Sequence, residues 1–157
     1  MLQKFIDAQE SVLEQVEKEL VEGTKMSHWM WFIFPQLQGL GQSERSHYYG
    51  LVDLEEAKNY INHPLLGPRL IKCVNIMLKH KTDKPAEILG EVDVLKFKSC
   101  LTLFCLASMG TNFHAVFELA LTKYFNGKKD TKTLNLLKMK KNRLNSKSMY
   151  KSITLPI

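Results

Sequence analysis

The chain reads as an all-α protein, a compact multihelical single domain of about seven or eight helices. Apolar residues recur every three or four positions through most of its length. These runs open near Ser, Asp or Pro and close near Gly or Pro, and no pair of alternating segments offers strands to each other. At 157 residues, 45% hydrophobic and 24% charged, the chain suits one soluble core. A chain of this size buries about 70% of the surface that it exposes when unfolded.

The first apolar set, Leu2, Phe5, Ile6, Val12, Leu13, Val16 and Leu20, predicts one amphipathic helix stopped by Gly23. Ser27 to Phe34 is apolar on almost every side and reads as a short buried helix capped by Ser27, with Pro35 removing the next donor. A strand is the competing reading of so dense an aromatic run. Gly39 and Gly41 open a turn, and Ser43 starts another short helix. Asp53-Leu-Glu-Glu56 is a capping-box-like start whose helix carries Ala57, Tyr60 and Ile61 and ends at His63-Pro64. Pro68 leads into a helix through Leu70, Val74 and Leu78, and a single turn is expected around 86–89. Asp93 caps a long apolar helix to about Met109; a further helix runs from about Asn112 to Phe125, with Gly127 as its stop. Asp130 or Thr131 starts the last.

Several classes of function are excluded or set aside by composition. No apolar stretch approaches the roughly 18 residues of a membrane span, and the N-terminus lacks the pattern of a signal peptide. A cytoplasmic location with no membrane partner is therefore expected. Cys73, Cys100 and Cys105 show no ligand spacing and read as buried free thiols, and nothing in the chain implies a metal or other cofactor. Gly39-Leu-Gly41 is a lone pair of glycines, not a phosphate-cradling loop. Charge is uneven: residues 126–151 hold nine Lys/Arg against one acid, whereas the remainder holds thirteen against fifteen. Such a cationic end attracts nucleic acid or an acidic protein, or simply aids solubility. Its Met149 and Tyr150 give no repeated aromatic interleaving for stacking bases.

Six blocks occur in order: Phe5-x-x-Ala-Gln9, Gly23-x-Lys-x-Ser-His-Trp-Met-Trp-Phe-Ile-Phe-Pro-Gln-Leu-x-Gly-Leu-Gly-x-Ser43, His63-Pro-Leu-Leu-Gly-Pro-Arg-Leu70, Asp93-x-x-Lys96, Ser99-x-x-Thr-Leu-Phe104 and Tyr124-Phe-x-Gly-x-x-Asp-x-x-Thr-Leu134. Together they resemble the domain of unknown function 1810 family, small bacterial proteins sometimes mislabelled calpastatin-like. The resemblance implies a multihelical fold over residues 1–137, leaves 138–157 as a basic C-terminal extension, and assigns no activity.

Candidate site residues follow from chemistry. Lys96, Ser99 and Thr102 form a polar line at helical spacing on a greasy helix, which faces either a cleft or solvent, with Asp93 at its head. Arg45 and Arg69 offer planar forks for phosphate or carboxylate, or for structural pairing to nearby acids. Lys25, His28, Trp29, Trp31 and Gln36 belong to the aromatic segment, where a histidine and an amide either hold a ligand or are satisfied within the core. Ser99, Cys100 and Cys105 lack a nearby base in sequence, so no catalytic residue is assigned. The reading favoured is a pocket bordered by the His-Trp-Met-Trp segment that binds or processes a small anionic ligand, nucleotide- or ADP-ribose-like, with His28, Arg69 and Lys96 expected on one cavity. The alternative is a non-enzymatic interaction module whose basic end contacts nucleic acid or an acidic protein. Neither a reaction nor an oligomeric state is fixed by the sequence.

Overall fold

The apolar periodicity folds into ten helices among the described residues, which are 1–154 for the backbone and 1–147 for the side chains of this computed structural model. The side chains of Met149, Tyr150 and Lys151, part of the basic end, lie outside them. The helices are α1 (Gln3–Glu10), α2 (Leu13–Glu22), α3 (Met30–Ile33), α4 (Glu44–Tyr49), α5 (Leu54–Asn62), α6 (Leu66–Leu78), α7 (Ala86–Leu89), α8 (Val94–Ala107), α9 (His114–Phe125) and α10 (Thr131–Thr154). Among the described residues β pairing is confined to one isolated parallel bridge, Leu37 to Leu51. The count exceeds seven or eight for two reasons. The N-terminal amphipathic run breaks at Ser11–Val12, so Phe5 and Gln9 on one piece and Val16, Glu19 and Leu20 on the other all reach the interior. The single turn α7, expected only as part of a connector, also stands as a helix of its own.

Side-chain caps fix where three of the ten helices begin. Ser43 accepts a hydrogen bond from the Ser46 N–H (3.1 Å), Asp53 from the Glu56 N–H (2.9 Å) and Asp130 from the Thr133 N–H (3.0 Å), each tying down the first turn of its helix. Ser27 and Asp93 do not cap: α3 begins at Met30 and neither α3 nor α8 has a side-chain cap hydrogen bond. Their polar groups are spent on tertiary contacts described below. Gly23 ends α2 in the left-handed region at φ 83°, its N–H reaching the carbonyls of Glu19 and Leu20.

α8 is apolar on nearly every face, as a helix at the centre of a bundle must be, and packs against α5, α9 and α10. α6 packs against α2, α5 and α9, while α1 and α4 hold α3 between them. Aromatic contacts run through the centre: Phe34 to Phe97 (4.9 Å between ring centres), Tyr60 to Phe104 (5.3 Å) and Phe5 to Tyr60 (5.2 Å). The turn joining α5 to α6 requires glycine, because a Cβ on Gly67 would stand 2.1 Å from the carbonyl oxygen of Ile61. α10 passes without interruption through Leu137 and Lys138.

Candidate functional site

The aromatic segment is held from below by a carboxylate that the sequence did not single out. Glu19, only 2% exposed, accepts hydrogen bonds from the backbone N–H groups of Met26 (2.7 Å) and Ser27 (3.0 Å), the Ser27 hydroxyl (2.5 Å), the Gln15 amide (3.0 Å) and the Trp29 indole N–H (3.0 Å). Burial works against its charge, yet these donors outweigh burial and hold its carboxyl down at about 2. Trp29 is thereby a fully satisfied core residue, 1% exposed. The Ser27 hydroxyl faces backwards onto α2 and is not free to cap α3.

Trp31, two residues on, is different. Its indole nitrogen is buried and has no hydrogen-bond partner among the described residues. Leaving such a donor unpaired costs about 1–3 kcal/mol. The Arg45 guanidinium lies 5.2 Å from the centre of the Trp31 ring and the Lys96 ammonium 6.0 Å from it, both over the ring. Lys96 also bonds Asp93 (3.2 Å), and the other oxygen of Asp93 meets Lys25 at 3.0 Å. Lys25 in turn sits over the Trp29 ring at 5.0 Å and donates to the Ser27 carbonyl at 2.7 Å. Two ammonium groups thus share a single carboxylate, and Arg45 makes no ion pair among the described residues. The result is a surplus of positive charge beside an orphaned N–H, assembled from the α2–α3 loop, α3, α4 and the start of α8. Arg45 also lines an open depression of about 720 Å³, bounded by Gly41, Gln42, Ser43, His47, Tyr48 and Tyr49 and by one acid, Glu44.

The remaining predicted residues have separate surroundings. Arg69 faces α1, pairing with Glu10 (2.8 Å) and reaching the Gln9 amide oxygen (3.3 Å). Gln9, 1% exposed, donates in turn to the Phe32 carbonyl (2.7 Å) and the Tyr60 hydroxyl (3.0 Å), a second buried anchor of the aromatic segment. His28 is exposed. Gln36 is buried against the turn, where its amide nitrogen would lie 3.5 Å from a Cβ on Gly41. Ser99 and Thr102 are buried and face neither solvent nor the Trp31 cluster. Ser99 donates to the Leu95 carbonyl and to Asp130 (3.2 Å), while the Thr102 hydroxyl accepts from the Asp130 N–H (2.8 Å). The polar line of α8 therefore divides: Lys96 joins the Trp31 cluster, whereas Ser99 and Thr102 anchor the start of α10. Of the eleven candidates, Lys25, Trp31, Arg45, Asp93 and Lys96 come together, with Trp29 beneath them.

The nucleophile candidates are ill placed for catalysis. Burial pushes the Cys73 thiol up to about 12 and Cys100 well above its usual range. Cys105 lies 4.0 Å from His114 Nδ1 and His114 Nε2 contacts Glu118, an arrangement with the outline of a triad. His114 Nδ1, however, donates to the Cys105 carbonyl at 2.8 Å, so it has no lone pair for a thiol proton. Among the described residues no three His, Cys, Asp or Glu side chains stand together as a metal-binding group, and no helix is long and apolar enough to cross a membrane.

A family described as "Protein of unknown function (DUF1810)" matches residues 1–137. Among solved structures, the chain is similar to the conserved hypothetical protein Rv1873 from Mycobacterium tuberculosis, at 43% identity over 87% of this chain and 95% of that one, with a TM-score of 0.82. No curated protein matches.

Proposed function

This chain belongs to the DUF1810 family of proteins of unknown function, and we propose that it binds a small anionic ligand of the nucleotide or ADP-ribose type beside Trp31. The observation that carries this reading is the buried, unpartnered Trp31 N–H with Arg45 and Lys96 over its ring. An anion held by these cations neutralises the surplus charge, and it reaches the orphaned donor once the side chains that cover the Trp31 nitrogen shift. The two cations are already positioned by the ring and, for Lys96, by Asp93, so little of their freedom is lost on binding. The open depression next to Arg45 gives room for the rest of such a molecule.

Thermal-shift measurements with nucleotides, ADP-ribose and sugar phosphates at matched salt test this. At least one anion is expected to stabilise the parent. Arg45→Ala or Lys96→Ala should each weaken it by about 1.5–3 kcal/mol, roughly ten- to a hundredfold. Arg69→Ala, whose side chain is engaged by α1, should lower the melting temperature and leave affinity unchanged. If no anion stabilises the parent, or if the Arg45 and Lys96 variants respond as the parent does, the Trp31 cluster is only part of the core.

A further inference from the structure

A second surface lies along α10, well separated in sequence from the Trp31 cluster. Leu54, Leu106, Met109, Leu137 and Leu144 form the floor of a groove between α10, α5 and the end of α8, which opens into a cavity of about 440 Å³. A smaller cavity of about 150 Å³ shares Asp53, Lys140 and Leu144 with it and continues past Val52 and Arg143 to Lys147. Met109 is 64% exposed, Leu144 58% and Val52 48%. Large apolar side chains left uncovered in one place mark a surface that another molecule covers.

The rim identifies the kind of molecule. On the α10 side it is wholly cationic: Lys138, Lys140, Lys141, Arg143 and Lys147. On the α5 side it is mixed: Asp53, Glu55 and Lys58. From Leu137 to Lys147 the α10 rim spans about 15 Å. Single-stranded nucleic acid needs ring faces on which to stack its bases, and no aromatic residue lines either cavity. A fatty acid carries its charge at one end, whereas these cations are spaced along the whole groove. An amphipathic helix with an acidic flank matches both features, laying apolar anchors into the floor and a line of carboxylates against α10. We propose that the groove between α5, α8 and α10 docks an acidic amphipathic helix of a partner protein, oriented with its acidic flank towards α10.

The probe is a labelled synthetic peptide of about five helical turns, with leucines on one face and glutamates along one flank, followed by fluorescence anisotropy against the full chain. Saturable binding is expected, at least about tenfold tighter than for the same residues in scrambled order. Leu144→Glu, at an exposed position, and Lys140→Glu, at a half-buried one, should each weaken the peptide about tenfold or more. Arg45→Ala should leave its affinity unchanged, which separates this groove from the Trp31 site. The proposal is overturned if the peptide does not bind, if the scrambled peptide binds as well, if Leu144→Glu changes nothing, or if decanoate or a single-stranded oligonucleotide occupies the groove in its place.

Discussion

Two tryptophans two residues apart meet opposite fates, and a single carboxylate makes the difference. Trp29 donates to Glu19, whereas Trp31 donates to nothing among the described residues. Glu19 also carries a pH signature. Its carboxyl titrates at about 2 when folded, against 4.5 ordinarily, so the stability that it supplies is fully present above about pH 4.5 and is lost as pH falls from there towards 2. Its contribution is on the order of 2–3 kcal/mol. Glu19→Gln removes the charge and turns two donors against the donors already facing it, so chemical denaturation at pH 7 should show a loss of about 2–4 kcal/mol and a flattened profile between pH 5 and 2. An unchanged acid limb would remove Glu19 as the anchor. The sequence offered no signal for Glu19, which looks like any solvent-facing acid on an amphipathic helix. Gln9 did leave a trace, as the polar end of the Phe5-to-Gln9 block.

Elements were legible where a cap residue serves its own helix; where it serves another, the start of α3 was missed, although α8 still begins directly after Asp93 as expected. Ser43, Asp53 and Asp130 act locally, and the helices behind them start as the sequence indicates. Ser27 and Asp93 have the same chemistry, but Glu19 takes one and Lys25 with Lys96 the other, so α3 is shorter than expected and α8 starts without a side-chain cap. The polar line on α8 was visible as a pattern; the purpose of its Ser99 and Thr102, holding Asp130, depended on a residue 31 positions away from Ser99. Two tests belong at this scale. Gly67→Ala drives a methyl group against the Ile61 carbonyl at the α5–α6 turn, and equilibrium unfolding should register a loss of about 3 kcal/mol. Ending the chain after Lys138 keeps the Ser99–Asp130–Thr102 anchor of α10, and the shortened protein should still melt cooperatively with a helical far-UV spectrum. Loss of cooperativity would make residues after Lys138 part of the core.

For the whole molecule, an apolar α8 at the centre and helices of mixed polarity around it made the all-α class readable without a partner or a ligand. The site was only half readable. Lys96 and Arg45 stand out as cations on apolar or glycine-rich stretches, but only the fold, which brings α4 and the first turn of α8 to α3, puts both over one indole ring. The two surfaces inferred here differ in their response to salt. Peptide binding along α10 should weaken with ionic strength, because four of its five cations are exposed, whereas a ligand that meets one exposed cation, Arg45, and the partly buried Lys96 should weaken less.

The most direct measurement follows the two indole N–H signals by nuclear magnetic resonance in protein labelled with nitrogen-15 at tryptophan, while the stabilising anion is titrated in. The Trp31 signal should move saturably and the Trp29 signal, fixed on Glu19, should stay; in Arg45→Ala the Trp31 movement should need roughly ten- to a hundredfold more ligand. If both signals move alike, neither moves, or the Arg45→Ala titration superimposes on that of the parent, the anion does not bind beside Trp31.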